Sequence, residues 1–160
     1  MKINEARIDL DIIMFNISEG NYRYIGSGSG RRVFDLGNGY VVKYAKNKKG
    51  IAQNEAEHQI FSTDHSNLFA KITQVSADFQ LLIMEKAEPL NHLSDVWRYY
   101  NVTSNRGLFQ LEEINYVFSK YKLLQKDLCR PANWGIINNR PVIIDYGFTR
   151  RVKRKYYLPF

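Results

Sequence analysis

The clearest pattern along the chain lies in its first half, where short β-branched and aromatic runs alternate with glycine-rich breaks. Tyr22, Tyr24 and Ile25 lead into Gly26-Ser27-Gly28-Ser29-Gly30; Val33-Phe34-Asp35-Leu36 follows, then Gly37-Asn38-Gly39 and Tyr40-Val41-Val42-Lys43-Tyr44-Ala45. Such runs predict three antiparallel strands, joined by a glycine-rich turn and then an Asn-Gly turn. In the third strand Val41, Lys43 and Ala45 share one face, and Val42 and Tyr44 the other. The period then changes: Ile51, Glu55, His58 and Phe61, with Ala52, Ala56 and Ile60, have helical spacing over 51–61. Residues 68–75 and 79–84 predict two more strands. The second is nearly continuously apolar, as expected where both faces are buried. Helix-spaced apolar positions recur over 93–100 and 111–124. A final hairpin runs through Ile136-Ile137, the turn Asn138-Asn139, and 142–145. The first twenty residues are ambiguous: Ile8, Leu10, Ile12, Ile13 and Phe15 fit either a strand or a short helix packed on the next element.

Strands, helix, strands, helices and hairpin make an α+β order with two small lobes. At 160 residues the chain is sized for one domain, 1–160, with lobes of about 1–86 and 87–160. Hydrophobic residues at 44% are enough to bury a core. No apolar run approaches the roughly 20 residues of a membrane helix, so no membrane partner is expected. The start carries acids within its apolar stretch and reads poorly as a signal peptide. The single cysteine, Cys129, gives no internal disulfide and fits a reducing, cytoplasmic setting. The net charge of +7 favours an acidic partner such as a nucleotide, nucleic acid or acidic protein. The run Arg150-Arg151-Val152-Lys153-Arg154-Lys155 reads either as a solvated, frayed terminus or as a nucleic-acid contact. The aromatic tail from Tyr156 to Phe160 reads as packing on the small lobe, ahead of partner binding.

Several residues carry candidate chemistry. Glycines between two strands let backbone N–H groups approach phosphates, though Gly26, Gly28 and Gly30 also suit a plain flexible hairpin. Lys43 within its strand is either a sheet-edge charge or a phosphate partner held by an acid from the next helix, Glu55 or Glu57. Asp145-Tyr146-Gly147 closes the last hairpin, and Asp127 and Asn133 lie upstream. Each is ordinary alone.

Their order resembles the protein-kinase signature set, from about residue 22 to 147. Gly26, Gly28 and Val33 fall at the first glycine, second glycine and valine of the kinase loop. Arg31 falls where the third glycine should be, with Gly30 adjacent. Tyr40-Val41-Val42-Lys43 is similar to the Val-Ala-Ile-Lys strand, which implies that Lys43 binds the α/β-phosphates, with Glu57 preferred over Glu55 as its partner. The stretch from Leu81 to Ala87 is similar to a hinge, with Met84 as gatekeeper and the backbones of Glu85 and Ala87 meeting adenine. Asp127 through Asn133 resembles the catalytic loop. The resemblance implies Asp127 as base, Asn133 as metal ligand, and Asp145 as holder of the principal Mg²⁺.

There are departures. Gln125-Lys126 replaces His-Arg, and Cys129 is one residue extra, although the Asp127–Asp145 separation of 18 residues stays near the family's spacing. Only Phe148 to Phe160 follow the Asp-Tyr-Gly, so the resemblance implies a minimal, C-terminally truncated kinase with a much reduced helical C-lobe. A Lys-, Asn-, Ile- and Tyr-rich chain of this style resembles kinase-like proteins of bacteria and phages. The expected function is ATP- and Mg²⁺-dependent phosphoryl transfer, of the serine/threonine protein-kinase kind, to the chain itself, a small molecule or a protein. The alternatives are an inactive pseudokinase acting by binding or inhibition, and, third, a basic nucleic-acid-binding domain. A homodimer would be one way to bury apolar surface left by a reduced lobe.

Overall fold

The computed structural model describes residues 7–158. The chain begins with helix α1 (Leu10–Ser18), so the helical alternative for the N-terminal stretch applies. Asp9 caps it by accepting from the N–H groups of Asp11 and Ile12. Strands β1 (Arg23–Ser27), β2 (Arg31–Asp35) and β3 (Tyr40–Ala45) follow, then helix α2 (Lys48–Thr63), β4 (Ile72–Val75) and β5 (Leu81–Glu85). They form one antiparallel sheet in the order β1-β2-β3-β5-β4. β3 is therefore central, and the sheet-edge reading of Lys43 does not apply.

The two faces of β3 both leave solvent, for different reasons. Val42 joins Ile13 of α1, Leu81 and Ile83 in an apolar cluster on the outer face. Val41 belongs to the main core with Leu82, Met84 and Ile60, which continues to Trp134, Val142 and Ile143.

The second half holds β6 (Glu88–Pro89), α3 (Ser94–Tyr99), α4 (Asn105–Gln110), α5 (Glu112–Tyr121), β7 (Trp134–Ile137), β8 (Arg140–Ile143) and α6 (Arg150–Tyr156). β6, β7 and β8 make a second, three-stranded antiparallel sheet. Asn138 and Asn139 both take positive φ, as a two-residue hairpin turn requires.

Several expectations are revised. The strand expected over 68–75 shrinks to β4. Its first part instead straps the two sheets together, through Ala70 N–H to Ile143 O at 2.9 Å and Ile143 N–H to Leu68 O at 2.7 Å. The helix expected over 111–124 ends at Tyr121, because Lys122 turns left-handed at φ 56°. Helix α4 was not anticipated; Ser104 caps it, and Leu108 and Phe109 anchor it. The basic tail is α6 rather than a frayed end: Thr149 caps it, and Val152 is buried. Its five cationic side chains remain exposed. Among the described residues no helix is long and apolar enough to cross a membrane.

Candidate active site

The site forms where β2, β3 and α2 meet the segment after β8. Asn47 caps α2, accepting from Gly50 N–H at 3.2 Å. The inward face of α2 is Gly50, Asn54, Glu57 and Ile60, spaced by four, three and three residues. Apolar periodicity pointed to Ile51, Glu55, His58 and Phe61, with Ala52, Ala56 and Ile60, and of these only Ile60 is buried. The pattern misled because this helix buries a polar stripe whose partners come from other elements.

Glu57 is fully buried. Lys43 donates to both its oxygens, at 2.9 and 3.0 Å. Glu55, the alternative partner, points to solvent. Arg31 Nη2 donates to Glu57 Oε1 at 2.8 Å and to Asp145 Oδ1 at 2.9 Å, while its Nη1 reaches Asn54 Oδ1 at 3.0 Å. The backbone N–H groups of Tyr146 and Gly147 also reach Glu57, at 3.3 and 3.2 Å. One carboxylate thus ties together β2, β3, α2 and the Asp-Tyr-Gly segment. Gly147 permits this close approach, since a Cβ there would lie 2.5 Å from the Gln53 carbonyl.

Burial alone would raise the Glu57 pKa, but the charges of Arg31 and Lys43 outweigh it and hold the group below its ordinary value. Arg31 stays charged: burial opposes this, and Glu57 and Asp145 more than compensate. Lys43 shifts the other way. Burial lowers it, and Glu57 offsets this only in part while Arg31 adds to it. Two cations share one buried carboxylate, and Arg31 has Asp145 as a second acid.

Lys43 Nζ also donates to Ile144 O at 2.5 Å, so its three protons are all engaged. Asp145 N–H and Ile144 N–H both face Asn133 O, at 3.4 and 2.9 Å, and Asn133 Nδ2 donates to Asp127 O at 2.7 Å. The Asp127 carboxyl is half-buried. Burial first, and the Asp145 charge second, raise its pKa.

Lys43, Glu57, Asp127, Asn133 and Asp145 therefore form one connected set. Gly26 pairs with Val33 in the β1–β2 ladder, and Val33 in turn pairs with Lys43. Gly26 and Gly28 face open space. Gly30 does not stand in for a third open glycine: a Cβ on it would lie 2.7 Å from Gly50 N, so it serves packing of the strand on α2. At the expected hinge, Met84 is buried. Glu85 N–H is spent on Lys71 O at 2.9 Å, and the Ala87 side chain abuts Gly135.

Sequence reasoning missed Asn54 and Gly50, and it treated Arg31 only as a missing glycine. The available signals were the helical spacing of Asn54 to Glu57 and the Gly30/Gly50 pair. The aromatic tail packs on the small lobe as its sequence suggests: Tyr157 Oη lies 2.7 Å from Ser29 Oγ and accepts from Gln53 Nε2 at 3.2 Å, while Pro159 and Phe160 lie outside the described residues.

Asp145 Oδ2 and Asn133 Oδ1 remain as hard oxygen donors. Among the described residues no group of three or more His, Cys, Asp or Glu could hold a metal unaided. Two oxygens fit Mg²⁺, which keeps waters and takes further ligands from phosphates. A groove of about 390 Å³ lined by Ala52, Glu55, Gln59, Lys120, Arg151 and Lys155 lies on the opposite face of α2 from Glu57 and does not belong to this set.

Compared with known proteins, the chain matches no family model and no curated protein.

Proposed function

We propose that this chain is a small kinase-like phosphotransferase that binds ATP with Mg²⁺ beneath the β1–β2 connection. The five-stranded antiparallel sheet with α2 against it is the kind of small lobe the resemblance implies. Gly26 and Gly28 would let backbone approach phosphate, and Val33 and the hinge backbone at Glu85 and Ala87 would border the base. Asp145 and Asn133 would hold Mg²⁺, which supplies charge screening of the phosphates when bound. Lys43, fixed by Glu57, adds positive charge at the same place. Asp127, with its raised proton affinity, suits a base that takes the acceptor hydroxyl's proton. The observation that carries the reading is the convergence of Lys43 and Glu57 with the segment 144–147, through Ile144 O and the N–H groups of Tyr146 and Gly147.

Calorimetric titration with ATP and Mg²⁺ tests this, with Asp145→Ala in parallel. Magnesium-dependent binding that disappears in the variant is expected; no binding by the wild-type chain would end the reading. Loss of phosphoryl transfer in Asp127→Asn, with binding retained, would assign the base.

A second reading, a nucleotide-binding or inhibitory protein without catalysis, is favoured by one observation. Lys43 has no proton left for a phosphate, and Arg31 already occupies Asp145. Retained ATP binding without transfer to any acceptor would select it.

A further inference from the structure

Arg31 stands where the resemblance calls for glycine, yet it is among the most constrained side chains of the site. It is 5% exposed and bonds Asn54, Glu57 and Asp145. Asp145 differs from its neighbours: its side chain is 44% exposed, whereas that of Glu57 is 0%. The Arg31–Glu57 bond is therefore closed to solvent, and the Arg31–Asp145 bond is open on the acid's side. The charges of Arg31, Lys43, Glu57 and Asp145 sum to zero, so the cluster is neutral as it stands. A divalent cation arriving at Asp145 meets a carboxylate whose Oδ1 is already taken and whose charge is already matched.

We propose that Arg31 is a tethered counter-cation for Asp145, which a divalent metal must displace in order to bind. This rests on the metal-binding part of the reading above and deepens it. Arg31 keeps its bonds to Glu57 and Asn54 when it yields Asp145, because those anchors lie on α2 and do not involve the metal. The residue therefore sets how strongly the site holds a metal, and it does so as a positioning residue rather than by touching substrate. A neutral side chain at position 31 restores the free negative charge of Asp145 and strengthens metal binding.

The test uses Mn²⁺ as probe, without nucleotide, following free Mn²⁺ by electron paramagnetic resonance. The chains compared are wild type, Arg31→Met, Arg31→Lys and Asp145→Asn. Removing a unit charge at contact distance from the carboxylate should tighten Mn²⁺ binding by about tenfold or more in Arg31→Met. Arg31→Lys keeps the charge on a side chain that cannot span both acids, and should fall between wild type and Arg31→Met. Asp145→Asn should lose the site. Thermal unfolding of each variant is recorded alongside. If Arg31→Met does not fold, tighter binding by Arg31→Lys carries the proposal. Unchanged or weaker binding in the folded Arg31 variants overturns it, as does an absence of Mn²⁺ binding in every chain. A gain in Mn²⁺ affinity without ATP binding would uphold this proposal and sink the kinase reading. Magnesium-dependent ATP binding with no effect of Arg31 on the metal would do the reverse.

Discussion

The two faces of the five-stranded sheet share the same strands and reach similar burial by opposite means. On the outer face, Val42, Leu81 and Ile83 meet Ile13, and apolar area is the whole of the interaction. On the inner face, Lys43 and Arg31 are as well buried, but they are held by Glu57, Asn54 and Asp145. The outer face needs only apolar side chains of suitable size and shape. The inner face needs each partner present, because a charge left alone in the interior costs far more than a lost contact. The inner face therefore holds a fixed arrangement of charge, where the outer face holds only apolar area.

The largest effect should come from removing the shared carboxylate. Glu57→Gln leaves two buried cations short of an anion and should cost about 3–5 kcal/mol in denaturant unfolding. A cost near that of an ordinary surface substitution would erase the contrast between the faces. The contrast should also appear as a pH dependence. The folded pKa of Glu57 lies below its unfolded value, so its contribution is fully present above the unfolded pKa. It is lost as pH falls through the folded one. Acid titration of stability should therefore be steeper in the wild type than in Glu57→Gln. On the outer face, Ile13→Val should cost about 0.5–1.5 kcal/mol, with the same value at pH 5 and pH 8. A pH-dependent cost there would mean the two faces are coupled. The smallest effect belongs to Tyr157→Phe, about 0.5 kcal/mol for its partly exposed hydrogen bonds. Its clearer readout is faster amide exchange in residues 27–30, where Ser29 loses its partner.

The sheet was legible because its signal is local. Alternation in 40–45 and the paired asparagines at 138 and 139 dictate strand and turn from neighbouring residues alone. Lys43, Glu57 and Asp145 could be picked out only by their order along the chain. The arrangement around them could not. Asn54 carries no local sign of burial, because a buried polar residue is recognisable only through its partners, and Arg31 lies 23 residues away. α6 was hidden for a related reason. Its basic run looks like a solvated end, and only Val152 and the Thr149 cap fix it.

The chain-spanning bonds of Glu57 also have a consequence for synthesis. Its backbone donors at Tyr146 and Gly147 are 89 and 90 residues further along, and Arg31 is 114 residues from Asp145. A polypeptide emerging from the ribosome can pair β1, β2 and β3 early, but for many seconds it must carry Lys43, Arg31 and Glu57 without the segment that completes their arrangement. Contacts of such long sequence separation slow folding. The part of the molecule with the most demanding electrostatics is therefore the last to be assembled.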